Sequence, residues 1–108
     1  MITALANYKL CLQEHLDDLL ERCATETERQ AIRGAYQRAC EAYNQTVNRI
    51  LEPGNAQIAQ LVSSLDAVQD EVTSAINRLD DIGDIIDKIA TGVVVAGKIA
   101  MLALPAPH

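Results

Sequence analysis

Residues 58–103 read IAQLVSSLDAVQDEVTSAINRLDDIGDIIDKIATGVVVAGKIAMLA. Apolar side chains recur through this stretch at alternating steps of three and four. The pairs are Ile58 and Leu61, Leu65 and Val68, Val72 and Ala75, Leu79 and Ile82, Ile86 and Ile89, Val93 and Ala96, Ala100 and Ala103. Such spacing keeps one seam of a helix facing a partner along its whole length, a pattern of no use to a strand or a loop. The chain therefore reads as all-α, and as built to lie against other helices.

Upstream of the seam, Glu52-Pro53-Gly54-Asn55 is the firmest break. Proline disfavours helical geometry in the residue before it, glycine permits a reversal, and asparagine is a favoured N-cap. Before the break, Leu5, Tyr8, Leu12, Leu16, Leu19 and Cys23 follow helical spacing and predict a helix over residues 3–23. Ile32, Tyr36, Ala39, Tyr43, Val47 and Ile50 predict a second over 26–51. Thr25, with Glu28 three residues later, is a capping-box pattern that separates the two by a short turn. Ala31, Ala35, Ala39 and Ala42 form a small-residue ridge, with Gly34 beside it either allowing close approach or marking a weak point.

The third segment, residues 56–104, would be roughly 75 Å long as one helix, about twice the length of either predecessor. The expected fold is a single domain, residues 1–108, in which an antiparallel helical hairpin is joined by a long heptad-patterned third helix of coiled-coil type. The alternative is a four-helix bundle with a break near Gly83 or Gly92. The undisturbed apolar phase favours the continuous helix. A seam that outruns its own hairpin must then be covered by a second chain.

Composition narrows the function classes. Among 108 residues 49% are hydrophobic but only 3% aromatic, which suits interdigitating helices better than an aromatic-walled ligand pocket. The net charge of −6, with −4 of it in residues 53–108, repels phosphate backbones, so no nucleic-acid partner is expected. Cys11, Cys23 and Cys40 fit neither a zinc site nor a disulfide framework and read as buried thiols in a reducing compartment. With no secretory signal at the start, a cytoplasmic location is expected.

Residues that could carry chemistry are few. Asp80, Asp81, Asp84 and Asp87 form the densest charged cluster, with Asp80, Asp84 and Asp87 on one face if helical, a candidate dock for a basic partner. The Asp80-Asp81-x-x-Asp84 string has the form of a magnesium-diphosphate motif of isoprenoid synthases. That chemistry needs a larger helical cavity and a second acidic motif, neither of which this chain supplies. Cys11 and His15 stand four apart, but two ligands do not make a metal site, and nothing marks a base orienter or an oxyanion loop. The expectation is a non-enzymatic protein without cofactor or metal.

Its interface residues would be Ile58, Leu61, Leu65, Val68, Val72, Leu79, Ile82, Ile86, Ile89 and Val93, on which a second copy or a helical or basic partner packs. Secretion chaperones, toxin inhibitors and structural subunits all share such a pattern. A second reading concerns residues 89–104, where Lys98 is the only charge past Ala90. The 16 residues give roughly 24 Å of helix, short of a hydrocarbon core of about 30 Å. Membrane contact there would use Val94, Val95, Ile99, Met101 and Leu102.

Overall fold

The computed structural model describes residues 2–47, 49–50 and 55–105. Four helices of nearly equal length dominate it: α1 (Ile2–Arg22), α2 (Glu26–Val47), α3 (Ala56–Asn77) and α4 (Ile82–Leu102). Two-residue strands β1 (Arg49–Ile50) and β2 (Leu104–Pro105) pair antiparallel and tie the chain after α2 to the chain after α4. The whole measures 47 × 23 × 18 Å.

Local chemistry accounts for most of the boundaries. At the start of α2, Glu28 N–H donates to Thr25 Oγ1 at 3.1 Å, while Glu28 Oε1 accepts from the N–H groups of Ala24 (2.8 Å) and Thr25 (3.2 Å). This is the capping box expected from the sequence, satisfying donors that a helix start leaves unpaired. Asn55 caps α3 by accepting from Ile58 N–H at 3.1 Å, also as expected. The rest of the predicted Pro53-Gly54 break lies outside the described residues. α4 stops at Leu102, earlier than predicted, because Leu104 precedes Pro105 and is held extended. α2 likewise stops at Val47 rather than at 51, as the chain leaves to pair with β2.

The expected continuous third helix is not what forms. Residues 78–81 turn the chain back, so the seam is split between α3 and α4 and the four-helix alternative matches the helix count. The reversal is a Schellman-type C-cap: Leu79 N–H donates to Ile76 O at 3.1 Å and Asp80 N–H to Ala75 O at 3.0 Å, with Leu79 left-handed at φ 59°. Asp81 then caps α4, accepting from Gly83 N–H at 3.2 Å. The four non-helical residues occupy about one helical turn of sequence, so the three-four spacing continues across the turn and conceals it.

The face does shift. In α4 the buried line runs Ile85, Ile89, Gly92, Ala96 and Ile99, with Val93 and Ala100 beside it, while Ile82 and Ile86 are only half-buried. Leu79, placed in the seam by its spacing, sits at the turn with 74% of its surface exposed.

Around the bundle, α1 lies beside α2 and α3, and α4 lies beside the same two, so that among the described residues the backbones of α2 and α3 do not come close. The β1–β2 pairing places the C-terminal ends of α2 and α4 together, making those helices parallel. Arg22 donates to Ile76 O at 3.2 Å, bringing the C-terminal ends of α1 and α3 together at the other end. Two hairpins thus stand side by side.

The core comprises Leu5, Leu12 and Leu19 of α1, the Ala35, Ala39 and Ala42 ridge of α2, Ile58, Leu65 and Val72 of α3, and the buried line of α4. Three members of the ridge, Ala35, Ala39 and Ala42, are buried and Ala31 is half-buried, whereas Val47 is exposed and Thr46 takes the inward position, its hydroxyl donating to Tyr43 O at 2.9 Å. Across the diagonal, the fully buried Tyr8 donates to Ile89 O at 2.7 Å with its ring over Gly92, where a Cβ would collide with it.

The other helix glycines are different. Gly34 meets only its own helix's Arg38 guanidinium, so it is the weak point rather than a close crossing. At Gly97 a Cβ would meet nothing within 4 Å. Gly97→Ala is therefore expected to stabilise the fold by about 0.5–1 kcal/mol through helix propensity, read as a higher urea midpoint.

Candidate functional site

Of the predicted interface residues, Ile58, Leu65, Val72, Ile89 and Val93 are buried within the chain's own bundle, and Leu61, Val68, Ile82 and Ile86 are half-buried around it. The α3–α4 hairpin thus covers much of its own seam. What remains outside is the outward face of α4, where Asp84, Asp87, Thr91, Val94, Lys98 and Met101 follow one another at steps of three and four, and all are exposed. Val94 is 57% exposed and Met101 83%, the two large apolar side chains this stripe leaves open. At the C-terminal end of this stripe a groove of about 470 Å³ opens between α3 and α4, lined by Gln57, Gln60, Leu61, Lys98, Met101 and Leu102.

The acidic residues do not form the single face expected of them. Asp80 lies in the turn, not on α4, and accepts from Arg78 Nη2 at 2.8 Å. That hydrogen bond and the guanidinium's charge hold the Asp80 carboxyl below the usual carboxylate range. Asp81 is engaged as the α4 cap, leaving Asp84 and Asp87 free on the outward stripe. Among the described residues no group of three or more His, Cys, Asp or Glu is placed to hold a metal ion.

Cys11 and Cys23 are buried free thiols and Cys40 is half-buried. Cys11 Sγ shares a 3.5 Å hydrogen bond with Thr73 Oγ1, and burial pushes its thiol up, only partly opposed by that bond. Its neighbour His15 uses Nδ1 on Cys11 O at 2.8 Å, a bond within α1 that leaves the sulfur unaddressed. A protonated thiol with no base on it is not an activated nucleophile. The adjoining hollow of about 280 Å³, between α1 and α3, is lined by Asn7, Leu10, Cys11, Glu14, His15, Gln69 and Thr73.

The five residues proposed for membrane contact separate. Val94 and Met101 face outward, Val95 and Leu102 are half-buried, and Ile99 is fully buried, since the segment turns one side to α2 and α3. Among the described residues no helix is long and apolar enough to cross a membrane. Sequence reasoning missed the stripe as a unit, because the phase of α4 is set by the turn and not by the heptads. The step from Asp87 to Val94, Lys98 and Met101 was nonetheless readable once Ile85 and Ile89 were known to point inward.

Comparison with protein families, curated proteins and solved structures finds no match for this chain.

Proposed function

We propose that this is a non-enzymatic helical interaction module that self-associates through the outward stripe of α4. The observation that carries the reading is the self-complementarity of that stripe. Laid antiparallel on a second copy about a two-fold axis near Gly92 and Val93, it sets Lys98 of each chain against Asp87 of the other and brings Thr91 and Val94 together at the centre, with Met101 outermost beside the partner's Asp84. Closed two-fold contacts of one patch with itself are the commonest route to a homodimer. The Lys98–Asp87 pairs fix the direction, while Val94 at the centre and the flanking Met101 supply the apolar contact.

This narrows the expectation of a partner spread along the whole 58–103 seam to the part of the chain that its own hairpin leaves uncovered. A basic partner would find Asp84 and Asp87 available but Asp80 already paired. The membrane-active alternative, in which residues 89–104 leave the bundle for lipid, has less in its favour, because Ile89, Val93, Ala96, Ile99 and Ala100 are enclosed by protein.

Sedimentation equilibrium of the full chain at micromolar concentrations tests the reading. The unmodified chain is expected to dimerise, and Val94→Glu with Met101→Glu to be monomeric with an unchanged helical spectrum. Asp87→Lys or Lys98→Asp alone should weaken the dimer, and the two together should restore it. A monomeric unmodified chain, or a dimer indifferent to Val94 and Met101, would overturn the proposal.

A further inference from the structure

The turn at residues 78–81 joins two helices whose apolar repeat continues through the sequence, although α4 buries a line one residue to the side of it, and the turn contains neither Gly nor Pro. Its left-handed position, where glycine is the usual occupant, is taken by Leu79, a side chain that clashes with its own backbone in that conformation. That leucine is also exposed, so the fold-back leaves unused one seam position that the heptads had assigned inward.

We infer that the turn is a hinge, and that α3 and α4 can fuse into one helix of residues 56–102 whose α4 half docks into the hairpins of a second copy of this chain. A helix of that length spans roughly 70 Å. Because α3 and α4 already pack against each other antiparallel, with Leu61 beside Lys98 and Leu102 in one groove, two fused helices lying antiparallel about an axis near residue 80 set the same two helices together between chains. In addition, Leu79 leaves its left-handed conformation and meets the partner's seam near Ile82. What holds the closed form is local: the Arg78–Asp80 ion pair at 2.8 Å and the Asp81 cap on α4. A short hinge under strain is the circumstance in which elements exchange between copies.

This exchange does not depend on the outward stripe of α4, and the experiment separates the two. Isotope-labelled and unlabelled full-length chains are mixed, unfolded, refolded together at high concentration and fractionated by size. Filtered nuclear Overhauser measurements then ask whether Tyr8 ring protons meet Gly92 α protons of the same chain or of the other. The dimer formed on refolding is expected to show that contact between chains and to survive Val94→Glu with Met101→Glu, the variant whose chains remain monomeric when never unfolded. Leu79→Gly, which relieves the closed turn and weakens the fused helix, should lower the dimer fraction at least about tenfold. A dimer whose Tyr8–Gly92 contacts are all within one chain, and which the stripe variants abolish, overturns the exchange and leaves the stripe reading standing. A dimer fraction unchanged by Leu79→Gly, or no dimer after refolding, also overturns it.

Discussion

Ile85→Asp is expected to remove about 4 kcal/mol or more of stability, whereas Leu79→Asp, six residues earlier, leaves it within about 0.5 kcal/mol of the unmodified chain. Ile85 has no exposed surface and sits among apolar side chains, so a carboxylate there is buried without a partner. The cost of an unpaired buried charge together with the lost isoleucine is about 4 kcal/mol or more, against a total stability of about 5–15 kcal/mol for a domain of ordinary size. Leu79 projects from the turn and loses almost nothing on becoming polar. Urea denaturation followed by far-ultraviolet circular dichroism gives both values. The comparison is diagnostic because the heptad spacing alone gives the opposite order: it places Leu79 in the seam and leaves Ile85 out of it. A Leu79→Asp chain less stable than Ile85→Asp would mean that residues 78–81 do not turn back.

The second large effect is at the diagonal crossing. Gly92→Ala is expected to destabilise by about 2 kcal/mol, although the same exchange in an open helix stabilises by up to about 1 kcal/mol. The added methyl would occupy the place of the Tyr8 ring, which must withdraw and release its hydrogen bond to Ile89 O. Forcing extra volume into a packed site costs about 1–3 kcal/mol, and a lost hydrogen bond about 1 kcal/mol. Tyr8→Ala should cost about 3–5 kcal/mol by emptying the same space. In that background Gly92→Ala should become neutral or stabilising, so the double-mutant cycle has a coupling of at least about 1 kcal/mol. Gly97→Ala, five residues along the same helix, provides the control of opposite sign. If both alanines shift the urea midpoint upward, Tyr8 does not cross at Gly92.

Several features were legible because their chemistry is local. The Thr25–Glu28 capping box, the Asn55 cap and the alanine ridge of α2 each depend on residues within one or two turns of each other, and each forms as read. Burial of Leu5, Leu12 and Leu19 follows from one helix's periodicity in the same way. Gly92 was readable only as a candidate break in the third segment. Its actual role, giving room to a tyrosine 84 positions earlier, is a property of the crossing. The outward stripe of α4 was likewise hidden, since which side of that helix faces water is decided by how the chain enters it.

Helical content, helix-forming periodicity and most caps were thus determined by the amino-acid order alone, because those free energies are settled among neighbours three or four positions apart. The reversal at Leu79, the one-residue change of face beyond it, and the side-by-side placement of two hairpins were decided by the tertiary structure. A heptad repeat specifies that a seam be covered but not by what. Folding back lets α4 bury Ile85, Ile89 and Ile99 against helices already present in the same chain, and that gain outweighs a strained leucine at one turn.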